Sequence, residues 1–268
     1  MDISPQNADS VIVRLAQNAS EIEAAQRLRY KVFYEEMTAK PDAVMAAEKR
    51  DFDTFDDHAD HVIVIDQFEG TEKIIGTYRL MRREMADKCG GFYTSGEFDI
   101  APLLQSGSSL LELGRSCVLP EYRTRAVMQV LWEGIADYVL NHNTGIMFGC
   151  ASLYGTDLDT LRDQMAYLYH YHLAPENLRP KALESRYIDL NRRAKDDLNA
   201  KAIFNTLPPL VKGYLRVGAV IGDGAVIDSQ FDTTDVCILV ETKNITARYH
   251  KHYLERDDDA SARQSVGV

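Results

Sequence analysis

The sequence has no run of about 18 apolar residues, so a membrane-crossing helix is not expected. Its first ten residues, MDISPQNADS, carry neither the basic segment nor the apolar segment of a secretory signal. Its four cysteines (Cys89, Cys117, Cys150, Cys237) form no CxxC pair. That excludes a zinc ribbon, and with three of them inside apolar runs it predicts reduced, buried thiols in a cytoplasmic protein. Positive charge is in deficit: the net charge is -11, which argues against general nucleic-acid binding. No internal repeat or low-complexity linker divides the 268 residues, of which 45% are apolar and 26% charged. That is the balance of a globular chain, long enough for one large α/β domain.

Apolar periodicity supplies the elements. Strands are expected at 11–16, 61–67, 73–82, 110–119, 146–152, 186–190 and 236–241. Helices are expected from a Ser20–Glu23 capping box to about Glu36, at 125–140, from Thr156 or Asp157 to about Tyr171, at 196–204 and from Pro208. A loop holds Pro41, and 218–224 is turn-rich. This order predicts an α/β fold with a mixed central sheet flanked by helices. The expected division is one domain over 1–255, with a core of about 11–190 and a C-terminal extension of about 191–255. A charged tail, 256–268, is expected to be disordered.

Three clusters carry candidate chemistry. Asp51, Asp53, Asp56, Asp57 and Asp60 lie within ten positions, interleaved with Phe52 and Phe55. Two buried rings would anchor such a loop and turn some acids toward a pocket that attracts an amine. The alternatives are a solvated acidic loop or a metal site, the latter without the glycine and terminal glutamate of an EF-hand loop. Glu112 and Arg115 stand inside an apolar strand, where ionisable groups are rare unless paired. They share a face only if the strand bulges, and Gly114 suits a bulge. A bulge frees N–H groups that can polarise a carbonyl; a structural ion pair is the alternative. Arg123, Arg125 and Ala126 open the next helix, whose N-terminal N–H groups suit phosphate.

Strand, Pro-Glu-Tyr-Arg turn and helix together resemble the acyl-donor loop of the GNAT superfamily. Arg123 matches its first position, whereas Ala126 and Met128 stand where that loop has glycine or a small residue. The resemblance therefore implies phosphopantetheine of acyl carrier protein, which lacks the nucleotide pyrophosphate, as donor in place of coenzyme A. Over its first half the chain resembles the acyl-homoserine-lactone synthases, through Arg29 with Phe33, Asp53 with Phe55 and Asp56, Arg79 in GTYRLM, and Glu112 with Arg115. Over nearly its whole length it resembles the ornithine N-acyltransferase family of ornithine-lipid synthesis, through ELGRSCVLPEYR, LPPLVKGYLRVGAVIGDGAVID and TTDVCILV.

That resemblance implies transfer of a 3-hydroxyacyl chain from acyl carrier protein to the α-amine of L-ornithine, giving lyso-ornithine lipid. No permanently bound cofactor and no metal are expected. Acylation of another amino acid such as glutamine, lactone synthesis, and non-catalytic lipid binding are the alternatives. As site residues the resemblance implies Glu112 (proton acceptor) and Arg115. Arg29, Phe33, Asp53, Phe55, Asp56 and Arg79 would bind the acceptor, Asp53 and Asp56 an ammonium and Arg79 or Arg115 the carboxylate. Val118, Arg123, Arg125 and Ala126 would bind the donor. Tyr154 or Tyr167 would protonate the leaving thiol; Cys117 is a rival nucleophile, and His170 with His172 is a metal pair only off helical spacing. Arg79, Arg82 and Arg83, and Arg186, Arg192, Arg193 and Lys195, are candidate basic patches for an acidic carrier. An amphiphilic product adds peripheral contact with the inner membrane; Leu207–Gly218 is expected to serve as acyl pocket, core or membrane contact.

Overall fold

The computed structural model describes residues 10–67 and 70–245; the tail assigned to 256–268 lies outside them. In chain order the strands are β1 (Val11–Leu15), β2 (Asp60–Asp66), β3 (Lys73–Arg82), β4 (Phe98–Asp99), β5 (Leu110–Val118), β6 (Ile146–Tyr154), β7 (Lys181–Ala182), β8 (Val220–Ile221), β9 (Val226–Asp228) and β10 (Thr233–Glu241). The α-helices are α1 (Ala19–Tyr30), α2 (Ala43–Glu48), α3 (Arg83–Ala86), α4 (Ala101–Leu104), α5 (Arg125–Asn141), α6 (Leu158–His172), α7 (Ala200–Thr206) and α8 (Pro209–Arg216). The main sheet runs β1-β2-β3-β5-β6-β10-β8, with β9 also on β10, and β4 pairs with β7 apart from it. Only β5 and β6 run parallel among these pairs; the others are antiparallel, so the sheet is mixed.

Period-two alternation divides the core between the faces of the central strands. In β10, Val236, Ile238 and Val240 join the larger apolar cluster, with Leu131 and Ile135 of α5 and Val211 and Leu215 of α8. Cys237 and Leu239 join a second cluster with Phe92, Phe98 and Leu103. Burial on both faces accounts for the near-continuous apolar runs of β5, β6 and β10.

Several expectations change. Asn18, not Ser20, caps α1: its side chain accepts the Glu21 N–H at 3.0 Å. Glu21 in turn accepts the Gln17 N–H and pairs with Arg14 of β1, which fixes the start of the helix. After Tyr30 the helix widens into a π turn, Lys31–Glu36. The loop around Pro41 contains α2, begun by Asp42, whose side chain accepts the Val44 and Met45 N–H groups. Instead of a strand at 186–190, only Ile188 forms a bridge, to Ala225. The helix expected at 196–204 starts at Ala200, where Asn199 caps the Ala202 N–H. The core strand expected at 236–241, within the segment expected as a C-terminal extension, is longer: β10 pairs residue by residue with β6 from Thr233↔Tyr154 to Glu241↔Ile146.

β5 and β6 pair only from Leu110↔Ile146 to Glu112↔Phe148, although both strands continue for six residues more. Beyond that point they splay apart. At the fork Gly149 lies against Leu113: a Cβ on Gly149 would sit 2.2 Å from the Leu113 carbonyl oxygen.

Candidate active site

Six charged side chains close a ring beside the splay. Arg29 lies 2.7 Å from Asp51 and 2.5 Å from Asp56. Arg79 lies 2.9 Å from Asp56 and 2.5 Å from Asp53. Arg115 lies 3.1 Å from Asp53 and 3.2 Å from Asp51. Each arginine thus touches two aspartates and each aspartate two arginines, and the ring is neutral as a whole. The Arg29 Nε is within ion-pair distance of Asp51 but off hydrogen-bond alignment. Burial raises the Asp56 carboxyl, but Arg29 and Arg79 outweigh it and hold it well below the usual carboxylate range.

The ring draws on α1 for Arg29, on the 51–56 loop, on β3 for Arg79 and on β5 for Arg115. Phe55 anchors the loop edge-to-face against Tyr93, at 5.7 Å, and the Arg79 guanidinium lies 5.5 Å from the Phe55 ring. Arg115 is held between Tyr93 and Phe231, at 5.0 and 4.9 Å. Phe33, on the π turn, packs edge-to-face on Phe231 at 5.6 Å.

The ring changes the expected roles. Asp53 and Asp56 each lie between two guanidinium groups, so neither is a free carboxylate awaiting an ammonium. Arg79 is 4% exposed and inside the ring, so it contributes nothing to a surface basic patch. Arg82, Arg186 and Arg193 of the two expected patches also pair with acids, Glu84, Glu97 and Asp163.

The expected bulge is present with another residue at its centre. Thr77↔Cys117 and Arg79↔Gly114 leave one extra residue on β5. Arg115 takes the left-handed conformation, φ 52°, while Gly114 does not. A non-glycine residue there costs on the order of 1–2 kcal/mol, which the two ion pairs and two rings around Arg115 offset.

Glu112 is buried, and its carboxylate accepts the backbone N–H of Tyr93 at 3.0 Å and of Thr94 at 2.6 Å. It therefore fixes the turn that carries Tyr93. Burial raises its pKa, and the bonds from Thr94 and Tyr93 only partly oppose the rise.

A cavity of about 180 Å³ passes through the splay. Phe33, Arg79, Glu112 and Arg115 reach it on one side, and Leu210, Val211 and Tyr214 of α8 give it an apolar wall. Leu207–Gly218 supplies core residues, Leu207, Val211, Tyr214 and Leu215, as well as this wall. Asp228 and Asp235 also line the cavity, with Cys150 and Ser152. Arg29, Asp53, Phe55 and Asp56 stand behind the lining, in or against the ring.

Val118, Arg123, Arg125 and Ala126 lie outside the cavity lining. Arg123 forms a two-pronged pair with Glu36, at 2.6 and 2.7 Å, and donates Nε–H to the Val118 carbonyl at 3.0 Å. Arg125 and Ala126 are exposed at the start of α5. Tyr154 lines the cavity, whereas Tyr167 packs away from it against Tyr171 and Phe204. Burial pushes the Cys117 thiol far above its ordinary pKa, which removes it as a nucleophile. His170 bonds the Arg193 carbonyl and His172 the Tyr167 hydroxyl, so they do not act as a pair.

Among the described residues, Glu97, Cys150 and Asp235 bring their side-chain atoms within 4.8 Å of one another. Burial, with the charges of Glu97 and Asp235, raises the Cys150 thiol well above its ordinary pKa. The sulfur is placed to donate its S–H to Glu97 at 3.4 Å.

Residues 28–133 match the family described as Acetyltransferase (GNAT) domain. The chain is 43% identical over 247 residues to the L-ornithine N(alpha)-acyltransferase of Rhodobacter capsulatus, covering 91% of this chain and 95% of that one. It is 44% identical over 249 residues to the protein of the same name from Brucella abortus, covering 91% and 89%. The chain belongs to the L-ornithine N(alpha)-acyltransferase family. Its fold is the mixed sheet and flanking helices of a GNAT domain. Among solved structures, an N-acyl amino acid synthase from uncultured soil microbes gives a TM-score of 0.48 at 10% identity, covering 86% of this chain and 90% of that one.

Several residues of the ring and of the cavity lining were not singled out in the sequence. Asp51 completes the ring but was grouped only with the general acidic stretch. Tyr93 and Phe231 carry no sequence signal: Tyr93 opens a short 3-10 turn (Tyr93–Gly96) and Phe231 lies in a turn before β10. Asp235 does carry one, an ionisable residue at the start of the buried run VCILVE.

Proposed function

We propose that this chain moves a 3-hydroxyacyl group from the phosphopantetheine thioester of acyl carrier protein to the α-amine of L-ornithine, forming lyso-ornithine lipid. The observation that carries the reading is the cavity through the β5–β6 splay, bordered by Glu112 and Arg115, in a chain of this family. Where the strands part, β5 backbone groups on the β6 side leave the ladder and face the cavity.

The amine nitrogen attacks the thioester carbon, and the C–S bond breaks as the amide C–N bond forms. Glu112 takes the proton lost by the amine; its oxygens accept the Tyr93 and Thr94 N–H groups and the Thr94 hydroxyl, which leaves one of their four lone pairs for that proton, and burial strengthens it as a base. N–H groups between Arg115 and Cys117 stabilise the oxyanion. Tyr154 returns a proton to the departing thiolate. Arg79 spends only Nη1 on Asp53 and Asp56, so its other N–H groups remain for the substrate carboxylate. The ring holds Arg79 and Arg115 in place; Asp53 and Asp56 act through them. Arg29, Phe33 and Phe55 position that wall, the acyl chain runs along α8, and Val118, Arg123, Arg125 and Ala126 meet the carrier outside the cavity.

No helix of the described residues is long and apolar enough to cross a membrane. In this reading the enzyme works in the cytoplasm and meets the inner membrane peripherally, where its amphiphilic product leaves.

The test mixes purified full-length chain, 3-hydroxyacyl carrier protein and L-ornithine, and follows free thiol and product mass. Ornithine-dependent thiol release with one acyl group on the α-nitrogen is expected. Thiol release that ignores ornithine, or that needs glutamine in its place, overturns the reading.

A further inference from the structure

The acids around the cavity differ in their partners. Asp51, Asp53 and Asp56 of the ring each meet two guanidinium groups, and Glu112 is held by two backbone N–H groups. Asp228 and Asp235, in the cavity lining, have no ion-pair partner among the described residues. Asp228 is 8% exposed; its Oδ1 accepts the Gln230 and Phe231 N–H groups, and its Oδ2 has no donor among the described residues. Asp235 is 5% exposed and is held by the hydroxyls of Thr233, at 2.8 Å, and of Ser152, its cross-strand partner. Nearby Glu97 shares only a half-exposed Arg186, at 3.4 Å. Two buried carboxylates facing a cavity without a counter-ion are costly unless a cation joins them.

An α,ω-diamino acid brings one ammonium more than the transfer step uses. We propose, on the reading of the reaction given above, that Asp228 and Asp235 hold the side-chain ammonium of the acceptor. They thereby select a diamino acid and leave its α-amine at the splay. Burial and the charge of Glu97 push Asp235 up to about 7 in the empty pocket, and an arriving ammonium favours its ionised form. The same anchoring accounts for which nitrogen is acylated: the parked ammonium stays protonated and cannot attack.

The test compares L-ornithine with L-norvaline, the same carbon chain without the side-chain amine. It uses the full-length wild type, Asp228→Asn and Asp235→Asn. Two readouts are taken: kcat/KM with 3-hydroxyacyl carrier protein, and calorimetric binding of each amino acid without donor. Thermal melts confirm that each variant is folded. The wild type should favour ornithine by at least about a hundredfold, since a site built for a polar group rejects the analogue lacking it. Each variant should reduce that preference at least about tenfold, mainly through KM for ornithine. A preference unchanged in folded variants overturns the proposal, as does an equal loss for both amino acids. Selective ornithine binding without transfer would sink the reaction reading and leave the anchor standing; transfer without selectivity does the reverse. No ornithine binding and no transfer sinks both.

Discussion

Glu112 does two jobs with one carboxylate. It accepts the Tyr93 and Thr94 N–H groups and, in the proposed reaction, the proton of the amine. Glu112→Gln keeps the volume but sets an NH2 group against one of those N–H donors and removes the base. Turnover should fall about 10²- to 10⁴-fold, the range general-base catalysis supplies, while circular dichroism still reports a folded chain. Near-wild-type turnover would take Glu112 out of the proton's path and leave it the anchor of the Tyr93 turn. Tyr93 in turn stacks on Arg115, so the carboxylate also sets where the guanidinium lies.

At the scale of elements, the parting of β5 and β6 depends on a glycine at the fork. A Cβ on Gly149 would meet the Leu113 carbonyl oxygen at 2.2 Å, a backbone atom with nowhere to retreat. Gly149→Ala should destabilise by about 1–3 kcal/mol, as overpacking does, lowering Tm by several degrees, and should weaken donor binding. Gly213→Ala in α8 is the control: its added Cβ meets open space, so Tm should hold or rise. Equal melts for the two variants would contradict a fork held by close approach. The long elements around this fork were legible in the sequence because burial on both faces gives unbroken apolar runs, as in β5, β6 and β10. Lys73–Arg82 and the helix from Arg125 were readable to within a residue or so. Short elements escaped: α2 is six residues set by one capping aspartate, and β4 and β7 are two residues each. The bulge was legible from Glu112 and Arg115 sharing a buried strand. The residue that takes φ 52° was not, because tertiary ion pairs hold Arg115 where local preference favours glycine. Most ring members were visible as motifs. Their mutual neutralisation was not, since pairing across 22 to 64 residues leaves no local trace.

Across the whole molecule, stability responds to pH through two sets of buried acids with opposite signs. Asp56, held low by Arg29 and Arg79 against the effect of burial, is ionised in the folded chain well below the unfolded value of about 3.9. Its contribution is full above about pH 4 and is lost as pH falls further, because the unfolded chain takes up the proton first. Asp235, raised by burial and by Glu97 to about 7, binds its proton in the folded chain first. Its contribution is full below about pH 4 and is lost as pH rises through about 7. Glu97 is raised by the same burial, and Asp228, Cys150, Ser152 and Thr233 complete Asp235's surroundings. The two effects place the stability maximum on the acid side of neutrality, between about pH 4 and 7, where the net charge of -11 and its self-repulsion are also partly relieved. Urea midpoints measured from pH 3 to 9 should rise from pH 8 toward 5 and fall below 4. Asp56→Asn should cost about 3–5 kcal/mol at pH 7, because it leaves buried guanidinium charge uncompensated, and should flatten the acid limb. An acid limb as steep in Asp56→Asn as in the wild type would mean that the ring joining α1, β3 and β5 is not what acid breaks.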